Sequence, residues 1–233
     1  MNDIFERYGI RRAVAPSAQA AYEYLLGDPL LHMDMTEALR RGDAELKYAD
    51  SDGVLMYNKR TGEYLASADN KETAKELMEL AEYMPMTAHG KAFSGFGYEY
   101  EARQFTYTSI YPPNESAAGI TDLELFTALE VANALDVNIQ DVREMIADGL
   151  GCGAFEEGKL CAFCLLNRDL SLNPAKILTS AKDEKKLYAY AVNAIMRLGF
   201  TPFGQVAAKS EAEKRVRECG LFDFSEEPLY IFF

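Results

Sequence analysis

The sequence predicts an α/β fold. In the C-terminal half, short apolar and β-branched runs alternate with helical stretches in the order strand, helix, strand, helix, strand, which is typical of α/β proteins. In the N-terminal half, two helices precede three short strands that are joined by turn signals. The 233 residues, 48% of them hydrophobic, can bury the core of one large domain or of two modest ones.

The N-terminal half contains alternating helix and strand signals. The run AQAAYEYLLG has a helical composition and stops at Gly27, and a second helix stops at Gly42. A third helix has an apolar face at 74, 77, 78 and 81, with Asp69 or Asn70 as its N-cap. The predicted elements are helices at 18–27, 30–41 and around 74–81, strands at 44–48, 54–58 and 64–67, and one long or two short strands within 93–111.

A proline pair marks the predicted boundary between two domains, 1–113 and 114–233. Pro112 and Pro113 cannot continue a sheet interior, and the composition turns polar after them. Beyond it we predict helices near 122–135 and 139–149, hairpin strands at 153–156 and 159–167, a buried strand at 176–180, helices at 184–198 and 211–219, and strands at 203–207 and 229–233. The two halves share a coarse order of helices, hairpin, helix and strand, which hints at an internal duplication.

Composition and charge narrow the class of protein. The net charge of −13 argues against general nucleic-acid binding, which usually needs a broad basic face. No apolar run approaches the roughly 18 residues that span a bilayer, and the start, MNDIFERYGIRR, is too charged for a secretory signal. The four cysteines are expected to be reduced thiols. We therefore expect a cytoplasmic protein with neither nucleic acid nor membrane as partner.

One segment reverses the acidic character of the chain. Between residues 176 and 217 there are nine basic and four acidic side chains, a net charge of about +5. A cationic cleft in an anionic body can select a phosphate-bearing ligand. The segment runs from a short apolar stretch through a polar loop into a helix, which places helix amide groups where a phosphate can bind.

Several motifs after residue 117 resemble the GNAT acyltransferase superfamily. GAFEEGKLCAFCLLN is similar to the paired central strands of that family, AKILTS to its cofactor-binding strand, and SEAEKRVRECGLFDF to its late helix. The resemblance covers mainly the C-terminal half. It implies a mixed, mostly antiparallel sheet split at a V-shaped cleft that binds acetyl-CoA or another acyl-CoA, and two GNAT-like halves in tandem would account for the shared order of elements.

The resemblance also implies a set of cofactor-binding residues. KLYAYA, residues 186–191, occupies the place of the family's pyrophosphate loop, where small residues let backbone amides approach an anion. Here both small positions are alanines, a lysine replaces the usual Arg or Gln, and Leu187 and Tyr188 are bulkier than the motif. The implied cofactor-binding residues are Leu178, Ser180, Lys185, Lys186, Ala189 and Ala191. The alternative is an ordinary helix start with solvated lysines.

No catalytic residue follows from the resemblance. Val216 stands where the family often has a tyrosine that protonates the leaving thiolate, and Lys209 stands near the family's asparagine. A valine cannot donate a proton, so acyl transfer would need another route for it.

Three weaker signals have structural interpretations. Cys161 and Cys164 are expected to be core residues rather than a metal pair, because residues three apart on a strand point to opposite faces. His32 and His89 are expected to have no catalytic or metal role, because no nucleophile or ligand motif surrounds them. The alternating glutamates at 99 and 101 indicate the wet face of a strand, or alternatively an acidic wall for a cationic amine.

The sequence thus predicts an N-acyltransferase that moves an acyl group from acyl-CoA to an amine of a small molecule or a peptide. A non-catalytic CoA-binding or protein-interaction module with the same fold is the alternative. A third interpretation is a structural α/β protein whose basic segment meets an acidic partner.

Overall fold

A computed structural model describes residues 17–82, 84–116, 118–179 and 182–233. The charged start of the chain, which we expect not to be a secretory signal, lies outside the described residues. The helices are α1 (Ala18–Leu25), α2 (Met33–Arg41), α3 (Lys71–Leu80), α4 (Ala128–Leu135), α5 (Ile139–Ala147), α6 (Glu184–Arg197) and α7 (Glu211–Glu218). The strands are β1 (Ala44–Ala49), β2 (Gly53–Asn58), β3 (Glu63–Ala68), β4 (Met86–His89), β5 (Tyr100–Thr106), β6 (Ile120–Asp122), β7 (Gly151–Glu156), β8 (Lys159–Leu165), β9 (Lys176–Ile177), β10 (Phe203–Ala207), β11 (Asp223–Phe224) and β12 (Leu229–Phe232).

Local capping explains where the N-terminal helices begin. The Asn70 side chain accepts hydrogen bonds from two amides of the first turn of α3, as predicted for an N-cap. Helix α2 begins at Met33, three residues later than predicted. The reason lies in Asp28, whose side chain accepts the Leu31 amide at 3.0 Å while its carbonyl accepts the His32 amide, so the preceding residues form a turn.

The two halves repeat one order of elements. Each has two helices, three strands, a helix and a strand, as α1–α2–β1–β2–β3–α3–β4 and as α4–α5–β7–β8–β9–α6–β10. In the first half β3 and β4 are parallel neighbours, while every other strand pair in the two sheets is antiparallel. This repetition is what the predicted tandem arrangement requires.

The halves also exchange strands. The large sheet has the order β1-β2-β3-β4-β12-β5-β10, and β11 pairs with β5. The last strand of the chain, β12, therefore lies between two strands of the N-terminal half, while β5 from that half is the antiparallel neighbour of β10. One continuous sheet thus crosses the predicted boundary at residue 113, which itself stays a prediction.

A cleft opens where the large sheet meets the small one. The small sheet has the order β6-β7-β8-β9, and the two sheets touch through a parallel bridge between Leu172 and Gly204. The Leu172 amide donates to the Phe203 carbonyl at 2.7 Å. A Cβ on Gly204 would lie 2.3 Å from the Leu172 carbonyl oxygen, so glycine is required for this close approach. Beyond the bridge, β9 pairs with β8 and β10 pairs with β5, and α6 connects the two diverging strands.

Some sequence predictions differ from the structure. The predicted strand at 176–180 has only two residues, because the amides of Leu178 and Thr179 both turn to the Cys161 carbonyl. Within 93–111 only β5 forms, and the short strands β4, β6 and β11 were not predicted. Cys161 and Cys164 are buried, as expected of core residues. In the described part of the chain, no helix has the length and apolar character needed to cross a membrane.

Candidate functional site

The start of α6 lies at the end of β9, on the cleft side of the C-terminal half. Asp183 is its N-cap residue, but the Asp183 side chain makes no hydrogen bond to the helix amides. By contrast, α1, α3, α5 and α7 each have a capping side chain that accepts such a bond. First-turn amides without a capping side chain can donate to an anion, and the helix dipole adds about half a positive charge there.

The lysines around this helix start are paired with carboxylates. The pairs are Lys182 with Glu156, Lys185 with Glu115 at 2.6 Å, and Lys186 with Asp183 at 2.7 Å. The Glu115 hydrogen bond raises the pKa of Lys185 above its ordinary value. The basic segment is therefore locally neutralised rather than an open cationic surface. Exposed ion pairs contribute only about 0–1 kcal/mol each, so an anionic ligand could replace these carboxylates at low cost.

The predicted small positions lie in the interior. Ala189 and Ala191 belong to α6, not to a loop, and both are buried, at 2% and 4% exposed. The loop assignment of 186–191 is therefore corrected to a helix, and a role of these residues in cofactor binding stays a prediction. Leu178 is half-buried against the core cluster beneath β8, and Ser180 lies outside the described residues.

An ion pair between a buried carboxylate and a partly exposed arginine lies at the start of α6. The Glu184 carboxylate lies 3.5 Å from Nε of Arg215 on α7, and Glu184 is only 7% exposed. Burial raises the pKa of Glu184, and the Arg215 charge acts in the opposite direction. Val216, the residue at the position of the family's tyrosine, is fully buried in the same core.

A cavity of about 570 Å³, here called the shared cavity, lies between the two halves. Its lining combines β3 and β4 of the first half with β10, β12 and the loop after β8. The charged or hydrogen-bonding residues that line it include Asp34, Glu63, Tyr100, Arg168, Asp169, Asn173 and Gln205. Both sides of the Leu172–Gly204 bridge contribute, since Asn173 follows Leu172 and Phe203 precedes Gly204. The lining includes Tyr100 but neither Glu99 nor Glu101.

Asp34 is a buried carboxylate with a full set of donors. It accepts the Met35 amide at 2.7 Å, Nε2 of His89 at 2.9 Å and Nε2 of Gln205 at 3.1 Å. Burial alone lowers the pKa of His89, but the adjacent Asp34 charge outweighs burial and the net shift is upward. Nδ1 of His89 also faces a carbonyl, that of Ala66 at 2.8 Å, so both ring nitrogens are placed to donate. His89 and Gln205 thus hold the Asp34 carboxylate in position.

Glu63 contributes a second carboxylate to the shared cavity. Its side chain has no hydrogen bond or ion pair with another residue in the part of the chain that the structure describes. Burial raises its pKa, and the charges of Asp169 and Asp34 raise it further. The two arginines that line the cavity form ion pairs with other carboxylates. Arg60 pairs with Asp43 at 2.9 Å, and Arg168 pairs with Glu144 at 3.2 Å.

Sequence reasoning missed this group of residues. Asp34, Glu63 and Gln205 come from α2, β3 and β10, and no motif joins them. The structure shows Asp34 and Glu37 on the buried side of α2 next to Met35 and Ala38, but in the mostly polar sequence of this helix they do not stand out.

Solved structures show which fold this is. An acetyltransferase of the GNAT family from Colwellia psychrerythraea matches with a TM-score of 0.53 and 13% identity, over 93% of this chain and 95% of that chain. A putative acetyltransferase of the GNAT family from Novosphingobium aromaticivorans matches with a TM-score of 0.50 and 13% identity, over 88% and 96%. A Drosophila protein matches with a TM-score of 0.52 and 13% identity, over 78% and 74%.

The predicted fold is thereby confirmed: the chain has a GNAT-like fold with mixed, mostly antiparallel sheets. At 13% identity the likeness concerns the fold alone. No protein-family model matches the sequence. No curated protein matches it either.

Proposed function

We propose that this protein is an N-acyltransferase that takes an acyl group from acyl-CoA and transfers it to an amine bound in the shared cavity. The observation that carries the proposal is Glu63, a carboxylate with a raised pKa and no partner among the described residues, in the cavity of a GNAT-like fold. Such a carboxylate suits the removal of a proton from an amine.

The start of α6 is the proposed contact for the pyrophosphate of acyl-CoA. First-turn amides without a capping side chain, together with Lys185 and Lys186 after release from Glu115 and Asp183, would bind its oxygens. Ala189 and Ala191 are buried and would support this site by the close packing of α6. Acyl-CoA would supply the activated acyl group when bound.

The acceptor is proposed to be a cationic amine before reaction. Glu63 and Asp169 present carboxylates to the cavity, and the Asp34 carboxylate lies beside His89. An ammonium group would be attracted by these carboxylates. Glu63 would then accept its proton, since Asp34 is already bound by three donors. The size of the cavity fits a small molecule or the end of a peptide chain.

Binding and turnover are tested separately. Acetyl-CoA should raise the melting temperature of the wild-type protein, and Lys185→Glu with Lys186→Glu should abolish the rise. Lys47→Glu with Lys75→Glu, which reverses two lysines paired elsewhere on the surface, is the matched control and should keep it. Absence of any thermal or calorimetric response to a CoA species would contradict the binding part.

Turnover is followed as thiol release over a panel of amines. Glu63→Gln should lower kcat/KM by about 10²–10⁴-fold, as for loss of a general base, and should leave CoA binding intact. Glu79→Gln, on the exposed side of α3, should keep the wild-type rate. CoA binding without thiol release for any amine would favour the non-catalytic module. The valine at position 216 and the paired lysines are the observations in favour of that alternative.

A further inference from the structure

The N-terminal half has a cavity of its own, of about 600 Å³, here called the N-terminal cavity. It lies where the parallel strands β3 and β4 end, the position that corresponds to the cleft of the other half. Its lining includes Tyr24, Asp28, His32, Ser67, Asp69 and Lys91. None of these residues lines the shared cavity. Nothing in the proposed acyl-CoA chemistry uses them.

Ser67 and His32 form a hydrogen-bonded pair at this cavity. Oγ of Ser67 lies 2.8 Å from Nε2 of His32, and Nδ1 of His32 lies 3.1 Å from the Leu25 carbonyl. Ser67 is 2% exposed and His32 is 5% exposed. A nucleophile, a base within hydrogen-bonding distance, and a third group that orients the base make up the arrangement of an activated hydroxyl.

The hydrogen bonds define the direction of proton transfer. A carbonyl can only accept, so Nδ1 of His32 carries the hydrogen that it donates to Leu25. The neutral ring then has Nε2 as acceptor, and Ser67 donates its hydroxyl hydrogen to it. Burial and, to a smaller extent, the neighbouring His89 charge together lower the pKa of His32 to about 4, so the ring is neutral at pH 7.

Tyr24 supplies a donor beside the serine. Its hydroxyl lies 3.1 Å from Oγ of Ser67 and donates to Oδ1 of Asp69 at 2.8 Å. Burial raises the pKa of Tyr24, which keeps the hydroxyl protonated. By turning its hydrogen away from Asp69, this hydroxyl can stabilise an oxyanion that forms next to the serine.

We propose that the N-terminal cavity is a second active site, in which Ser67 takes an acyl group from a carboxylic ester with a neutral or cationic leaving alcohol. The charge of the lining sets the class of ester. Asp28 and Asp69 are anionic, and Lys91 is paired with Glu227 at 3.0 Å, so the cavity repels phosphate-bearing donors such as acyl-CoA.

The chemistry balances with water as the second reactant. In the first step, the bond between Oγ of Ser67 and the acyl carbon forms, the bond from that carbon to the alcohol oxygen breaks, and the serine proton passes through Nε2 of His32 to the alcohol. In the second step water attacks the acyl-serine, His32 takes a water proton and returns it to Oγ, and a carboxylic acid leaves. The net reaction is ester hydrolysis.

The test uses p-nitrophenyl acetate without any CoA, so its outcome is independent of the acyl-CoA proposal. We expect nitrophenol release, and an acetyl group on the peptide that contains Ser67 after rapid acid quenching. Ser67→Ala and His32→Gln should each lower the release rate at least about 100-fold, whereas Ser116→Ala, at an exposed position outside the cavity, should not.

Folding of the variants is checked by their melting temperatures. Ser67→Cys provides a second criterion, because it keeps a nucleophile and should carry the acetyl group as a hydroxylamine-sensitive thioester. Unchanged release by a folded Ser67→Ala protein, or acetylation only at other residues, would overturn the proposal. Acetyl-CoA that acylates Ser67 would overturn the ester assignment.

Discussion

Acidification should destabilise the protein through His32, and His32→Gln should remove that effect. In the folded chain the ring is buried, faces the charged His89, and has its pKa lowered from 6.5 to about 4. In the unfolded chain the ring regains its ordinary pKa. Between pH 4 and 6.5 the unfolded state therefore binds more protons, and stability rises with pH in this window.

The expected magnitude follows from the two pKa values. Each pH unit between them changes the free energy of unfolding by about 1.4 kcal/mol, so the full contribution of His32 is about 3 kcal/mol. It is present above pH 6.5 and lost as the pH falls to 4. His89 does not counteract it in this window. Its pKa is raised in the folded state, so its stabilising contribution is present below pH 6.5 and is lost only as the pH rises through the folded value.

Urea unfolding at pH 7, 6, 5 and 4 measures the effect in protein without a histidine tag. From pH 7 to pH 4 the free energy of unfolding of the wild type should fall by about 3 kcal/mol more than that of His32→Gln, because all other titrating groups are the same in both proteins. The sequence has only two histidines, so the variant also assigns both ring signals in NMR spectra. Equal losses in the two proteins, or a His32 ring that titrates near pH 6.5, would refute the reasoning.

Two further predictions concern the packing of the cleft. Gly204→Ala should lower the free energy of unfolding in urea by about 1–3 kcal/mol, because its Cβ would meet the Leu172 carbonyl and Phe105. Gly97→Ala, which has open space around it, is the control and should change that free energy by no more than about 0.5 kcal/mol. Val216→Ala should lower the free energy of unfolding by about 2 kcal/mol in the same measurement, since this fully buried side chain fills the core of the C-terminal half. A loss under about 0.5 kcal/mol would contradict this and show that the surrounding side chains close the cavity.

Elements whose signals are local were predictable. The hairpin of β7 and β8 has its turn at Glu157-Gly158, both with positive φ, and strand β10 has the predicted bounds. Helix α3 begins after Asn70, one of the two residues predicted as its N-cap. The predicted end of β9 was wrong because that end depends on a carbonyl of another strand. Strand β4 was missed because four residues are too few to show a periodic pattern.

The candidate sites were less accessible to sequence reasoning. The lysines at the start of α6 were identified, but their carboxylate partners come from β7, from the linker before β6 and from the N-cap. The GNAT-like motifs predicted the fold, which is confirmed. They could not show that Ala189 and Ala191 are buried within a helix, since burial depends on how the helix packs.

What the sequence by itself determined is the order of elements, the GNAT-like cleft with a helix start at its mouth, and the unsuitability of Val216 as a proton donor. The tertiary structure alone decided which side chains meet. His32 and Ser67 are 35 residues apart in the sequence, and Asp34 and Gln205 are 171 residues apart. Local sequence patterns therefore cannot reveal either contact. Local preferences act over a few residues, whereas these contacts arise because exchanged strands join two halves in one sheet and bury their polar groups together.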